Sequence, residues 1–147
     1  MTLREKQSLF MKLYGQLIAW AYANGYELTA GELKRSDEQA HINALGSQGR
    51  EKVAQAITPI SSELALALRN NGNNNGIVGS LHELGLAADI NLFKDGMYLT
   101  TSDHHKPLGE HWKSLHPLCS WGGDFKDKKG NSKPDGNHYS IEHGGIK

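Results

Sequence analysis

Ser80-Leu81-His82-Glu83-Leu84-Gly85-Leu86-Ala87-Ala88-Asp89-Ile90-Asn91-Leu92-Phe93 is the stretch whose reading decides the fold. From Ala87 onward it predicts a β-strand, in which successive side chains alternate between faces. Ala88, Ile90 and Leu92 form one apolar face, while Ala87, Asp89, Asn91 and Phe93 share the other. Asp89 therefore points away from the better core face. Gly85 lets the backbone turn, which swings His82 on the incoming segment back toward Asp89. An imidazole and a carboxylate brought together in this way suit Zn²⁺.

Working outward, the strand runs into Asp95-Gly96, a hairpin signal, and returns through Met97-Tyr98-Leu99. Upstream the pattern is helical. Leu3, Phe10, Leu13, Leu17 and Trp20/Ala21 fall at helical spacing up to about Asn24, with Gly25 in place for a C-terminal cap. A short strand is expected over residues 26–30. Ser36 then opens a second helix, with Gln39 completing a capping box and Asp37 and Glu38 in the first turn. Residues from about Arg50 to Arg69 predict one or two further helices broken by Pro59. Residues 70–76, all Asn and Gly, are too polar to pack and read as a flexible loop.

Downstream, a short helix is expected from Pro107 to His116, with Pro107 near its first turn and Leu108, Trp112 and Leu115 on one side. Asp124 to Asn137 reads as a loop rich in Lys, Gly and Asp, and His138 to His143 as a closing strand. Helices first and strands second predict an α+β fold, with N-terminal helices packed on a small antiparallel sheet in one domain spanning residues 1–147.

Composition narrows the function. Lys+Arg and Asp+Glu tie at 16 each in 147 residues, so the formal net charge is zero. That balance argues against a nucleic-acid partner held by bulk phosphate attraction and against a polybasic membrane anchor. A single Cys excludes an intramolecular disulfide and a Cys-rich zinc finger, whereas eight His make imidazole and oxygen the ligands to expect of any metal site. No stretch is long and apolar enough to span a bilayer, so no stable membrane association is expected. The first residues lead into an amphipathic pattern rather than the apolar run of a secretory signal. The expected site of folding is therefore a cytoplasm.

The closing strand carries a second polar cluster. His138, Ser140 and Glu142 face one way; Tyr139, Ile141 and His143 face the other. His138 is the candidate third ligand. Asp135, across a Gly-Asn turn, is placed to reach a water at such a site. Three protein ligands leave a fourth position open, which is the catalytic rather than the structural pattern.

Ser80, His82, Gly85, Ala87 and Asp89 match the SxHxxGxAxD signature of the zinc D-alanyl-D-alanine carboxypeptidase/dipeptidase family, and Asp135 with His138 resembles its acid-x-x-His element. The Trp121-Gly122-Gly123-Asp124 segment and the His138 strand resemble the phage branch, the L-alanyl-D-glutamate endopeptidase endolysins. The resemblance implies His82, Asp89 and His138 as zinc ligands and Asp135 as general base. It further implies that Arg35 steadies the scissile carbonyl and that Ser80 contacts substrate or supports a ligand. It departs from the dipeptidases in using Asp as the base where they use Glu, and residues 46–79 look longer than in the smallest members. The implied activity is hydrolysis of peptidoglycan peptide stems by an endolysin made in the host bacterial cytoplasm and released to the wall by a holin-type pore. The alternatives are a D-alanyl-D-alanine carboxypeptidase and a non-catalytic, zinc-containing wall-binding module.

The other candidates read as structural. His104 and His105 fall in a polar turn, His41 is mid-helix, and His111 and His116 are five apart and share no helix face. His143 is a spare ligand turned away from His138 by strand alternation, and Glu142 is the competitor to Asp135. Cys119, in the extended apolar run from Pro117 to Trp121, reads as a small buried hydrophobe rather than a nucleophile. Lys126, Lys128, Lys129 and Lys133 alternate with Asp124, Asp127 and Asp135, as in a solvated loop.

Overall fold

The computed structural model describes residues 1–71 and 79–147. Most of the Asn/Gly stretch expected to be a loop lies outside the described residues. Helix α1 (Leu3–Ala23) begins with a reciprocal cap: the Thr2 hydroxyl accepts from the Glu5 amide, and the Glu5 carboxylate accepts from the Thr2 amide. Its buried stripe is Phe10, Leu13, Leu17 and Ala21, the helical spacing visible in the sequence. Strand β1 (Glu27–Ala30) follows, then α2 (Asp37–Ala44), α3 (Gly46–Ile57) and α4 (Ser62–Asn70). Ser36 caps α2 through the Gln39 amide, but the box is only half made. The Gln39 side chain donates to the Asn43 side chain instead of turning back.

Strand β2 (Ala87–Lys94) is the spine of the sheet. It pairs antiparallel with β1, with β3 (Met97–Leu99) across the hairpin, and with β5 (His138–Ile141); β4 (Cys119–Trp121) pairs with β5 beyond it. Ala88, Ile90 and Leu92 are buried as the alternation predicts, and they join Phe10, Leu13, Leu17, Trp112 and Ile141 in one core. The result is the α+β arrangement expected, with α1 and α5 (Ser102–Leu115) against the sheet. Among the described residues no helix is long and apolar enough to cross a membrane.

Two expectations near α5 need correction. The helix starts at Ser102, five residues before Pro107, so the proline lies inside it. Hence His104 and His105 are helical rather than in a polar turn. His105 shares the buried face with Leu108, Gly109 and Trp112 at helical spacing, is 3% exposed, and has its Nδ1 3.0 Å from the Tyr139 hydroxyl. Gly109 is required on that face because a Cβ there would meet the Trp121 ring at 2.1 Å. The closing strand is also shorter than expected, ending at Ile141; His143 instead bridges to Ile146.

Burial, with a smaller push from the charge of His104, lowers the His105 pKa from 6.5 to about 4. Between those values the unfolded chain takes up a proton that the folded chain refuses. The stability tied to a neutral His105 is thus intact above pH 6.5 and is lost progressively as pH falls toward 4. His105→Gln cannot titrate and is expected to flatten this part of the acid decline. Urea unfolding midpoints across the window check it, and a slope equal to wild type would refute the assignment.

Candidate metal centre

The turn that delivers His82 is built from local bonds. The Glu83 and Gly85 amides donate to the carbonyls of Ser80 and His82 at 3.1 Å each, and the Leu86 amide closes onto Leu81 at 2.8 Å. Gly85 adopts φ +64°, a conformation that costs other residues energy. The turn brings His82, 5% exposed, under the sheet end where Asp89 and His138 stand directly opposite each other on β2 and β5. Opposed residues share a face, so both side chains converge on the imidazole.

The three donors form a triangle. His82 Nε2 lies 3.1 Å from His138 Nδ1 and 3.4 Å from Asp89 Oδ1, and His138 Nδ1 lies 3.2 Å from Asp89 Oδ1. A tetrahedral zinc with bonds of about 2.0–2.1 Å sets its ligand atoms roughly 3.3–3.4 Å apart. The triangle therefore fits the ion, and the donor set of two imidazoles and one carboxylate fits its chemistry. Burial pushes the Asp89 carboxyl up, but hydrogen bonds from His138 and His82, and their charge, outweigh it and hold the pKa at about 2. Asp89 is an anion throughout the physiological range.

The other expected site residues take distinct places. Arg35 stands beside the triangle, its amide 3.3 Å from the His82 carbonyl. Its Nε and Nη2 both engage the Glu32 carboxylate, which raises the guanidinium pKa further. Ser80 holds the Glu83 carboxylate with its amide at 2.7 Å, and its Oγ is buried without a hydrogen-bond partner among the described residues. Asp135 is outside the three-donor group. It opens the tight turn into β5, its amide bonded to Gly122 and its carbonyl to the His138 amide. It also lines a cavity of about 290 Å³ with Ser102, His105 and Asn137, none of the three donors being in that wall.

Three contributors have roles at the site that the sequence reading did not assign, although Gly122 lay in a segment it quoted. Glu32 accepts from the Asp89 amide through its carbonyl at 2.7 Å, and its carboxylate lies 3.8 Å from His82 Nδ1. The only available signal was its i,i+3 spacing from Arg35. The Phe125 ring lies 5.4 Å from that of His138. Gly122 is obligatory, because a Cβ there would fall 2.1 Å from the Asp135 carbonyl oxygen and 2.9 Å from His138 Cβ. Cys119, in contrast, behaves as expected: burial pushes its thiol up to about 12, far from a nucleophile's range.

The fold is similar to that of a solved zinc-bound D,D-pentapeptidase. A variant of the vancomycin-resistance D,D-pentapeptidase VanY from a VanB-type resistance cassette, solved in complex with Zn(II), superposes with a TM-score of 0.51 at 22% identity, covering 90% of this chain and 70% of that one. A second structure, VanYB in complex with D-alanine-D-alanine, gives 0.49 at 21% identity over 90% and 68% of the two chains. No protein-family model and no curated protein matches the sequence.

Gly122→Ala is expected to displace the 135–138 turn and so lower the unfolding midpoint and the affinity for Zn²⁺ together. Gly15→Ala is the control. Its Cβ meets nothing within 4 Å on α1, so it should stabilise by about 0.5–1 kcal/mol and leave metal binding untouched. Equal zinc affinity in the Gly122 and Gly15 variants would disprove the close-approach argument.

Proposed function

We propose that this chain is a zinc-dependent peptidase acting on the peptide stems of bacterial peptidoglycan. The observation that carries the reading is the triangle of His82 Nε2, Asp89 Oδ1 and His138 Nδ1, with edges of 3.1–3.4 Å. The family signature at Ser80, His82, Gly85, Ala87 and Asp89 supports it, as does the fold shared with VanY. His82, Asp89 and His138 would hold the metal, which supplies Lewis-acid polarisation of the scissile carbonyl and a more acidic water.

The chain's own residues supply the rest. Asp135 is the general base, taking a proton from the attacking water and returning it to the leaving amine. Arg35 pairs with the carbonyl oxygen as negative charge develops there. Two of its nitrogens are held by Glu32, so the guanidinium is oriented before substrate arrives. Ser80, whose buried Oγ has no hydrogen-bond partner among the described residues, contacts substrate or supports a ligand.

We read the scissile bond as L-alanyl-D-glutamate and the biological role as that of a phage endolysin. Asp in the base position and the resemblance of residues 121–124 to the phage branch support this. On that reading the protein folds in the host cytoplasm and reaches the wall through a holin-type pore. The second reading is a D,D-carboxypeptidase, and the D,D-pentapeptidase described for the fold neighbour favours it.

Purified protein on peptidoglycan sacculi, with and without a chelator, tests the activity. New amine termini are expected only with zinc present. Mass spectrometry of the products separates the bonds, since the endopeptidase frees the stem from alanine and the carboxypeptidase releases single D-alanine. Asp135→Ala should keep zinc and lose about 10²–10⁴ in rate, whereas His82→Ala should lose the metal. Undiminished function in the Asp135 variant would point instead to a wall-binding module without turnover.

A further inference from the structure

The segment before α2 touches the metal triangle more closely than any sequence motif suggested. The Gly31 amide donates to the Asp89 carbonyl at 2.9 Å, and the Asp89 amide donates to the Glu32 carbonyl at 2.7 Å. Two residues on one strand thus face one on the other, a bulge that bends the chain just beyond β1. Gly31 permits the approach, for a Cβ there would meet Asp89 Cβ at 2.9 Å. Two residues after the bulged pair's neighbour, the Arg35 amide bonds to the His82 carbonyl. The backbone of this one segment is therefore pinned to two of the three donors.

The bulge also aims a carboxylate. Glu32 Oε2 is the oxygen engaged by Arg35 Nη2, and the same oxygen lies 3.8 Å from His82 Nδ1. His82 Nδ1 is buried and has no hydrogen-bond partner among the described residues. Its Nε2 points into the triangle, so Nδ1 must carry the ring proton whenever Nε2 offers its lone pair. A buried N–H without an acceptor costs roughly 1–3 kcal/mol. The Glu32 carboxylate, fixed on its far side by the Arg35 fork, is one small side-chain adjustment from accepting it.

We propose that Glu32 is a positioning residue that accepts the His82 Nδ1 proton, fixing the tautomer and ring orientation of this ligand while orienting Arg35 with the same carboxylate. One acidic side chain thereby couples the metal ligand to the group assigned to the scissile carbonyl. The inference rests on the zinc reading above. Metal-bound imidazoles ordinarily donate their other N–H to a carboxylate or carbonyl, and loss of that partner typically weakens metal binding by about 10–100-fold.

The test is a chelator-competition titration of Zn²⁺ on wild type, Glu32→Gln and Glu32→Ala, with urea unfolding of the metal-free proteins alongside. Zinc affinity should fall by about 10–100-fold in Glu32→Ala and by less in Glu32→Gln, whose amide oxygen still accepts. The metal-free unfolding midpoints should move little, because Glu32 is partly exposed and its ion pair with Arg35 is local. Wild-type affinity in Glu32→Ala would overturn the proposal and leave the zinc reading standing. A wild-type protein that binds no zinc would instead overturn the zinc reading, and this inference with it. Should Glu32→Ala not fold, nitrogen-15 NMR of the zinc-loaded wild type decides. A slowly exchanging His82 Nδ1–H resonance is expected, and a proton lost to water exchange sinks the proposal.

Discussion

The site depends on the register of one strand pair. Asp89 spends its backbone amide and carbonyl on the β1 side, bonding Glu32 and Gly31. Toward β5 it therefore faces His138 as a pair without mutual backbone bonds, the arrangement in which opposed Cα atoms are closest, about 4.5 Å. A slip of one residue would turn Asp89 into the core and an apolar neighbour into the triangle. Several bonds oppose that slip. The Ile90 amide holds the Asn137 carbonyl, and the Ile141 amide holds Leu86. The buried Trp112 indole donates to the Ser120 and Ser140 carbonyls at 3.0 Å each, locking β4 and β5 together. The Trp121 indole holds the Gly136 carbonyl at 2.7 Å, fixing the turn that leads into His138.

These locks explain why glycines crowd the end of the sheet nearest the site. Gly122 and Gly136 sit where backbone from one segment presses on another, and a Cβ at Gly136 would meet Ser102 Cα at 2.4 Å. The Trp121 ring, whose indole helps set register, presses instead on Gly109 and Gly123, where a Cβ would meet it at 2.1 and 2.2 Å. Position of the ligands and packing of the core are therefore linked here: the strand and turn that carry His138 are held by buried hydrogen bonds from Trp112 and Trp121.

Much of this was legible because it obeys short-range periodicity. The alternation from Ala87 to Phe93 gave both the buried face and the orientation of Asp89, and α1 followed from its apolar stripe. The meeting of His82, Asp89 and His138 was read from strand faces, from the freedom of Gly85 and from the family motif. Failures came where tertiary contacts decide. Pro107 looked like a helix start, yet α5 extends about one and a half turns before it because its buried face sets His105 against Tyr139 and Gly109 against Trp121. Beyond its spacing from Arg35, Glu32 gave no signal, since its role depends on a bulge defined by pairing with a strand almost sixty residues away.

Charge bookkeeping links the neutral composition to the chemistry. Within the site, Arg35 and Glu32 cancel each other. Asp89 is an anion, kept ionised by its two histidine partners. A carboxylate in a half-buried setting is a poor binder of anionic groups, so Asp89 itself offers nothing to an oxyanion. A divalent cation held by His82, Asp89 and His138 would reverse the sign of the local field, and the burial of the two imidazoles would leave that surplus weakly screened. Positive potential would then be concentrated at one point of a chain with zero formal net charge. On the proposed reading, Arg35, oriented by Glu32, would add a second positive group at the carbonyl under attack.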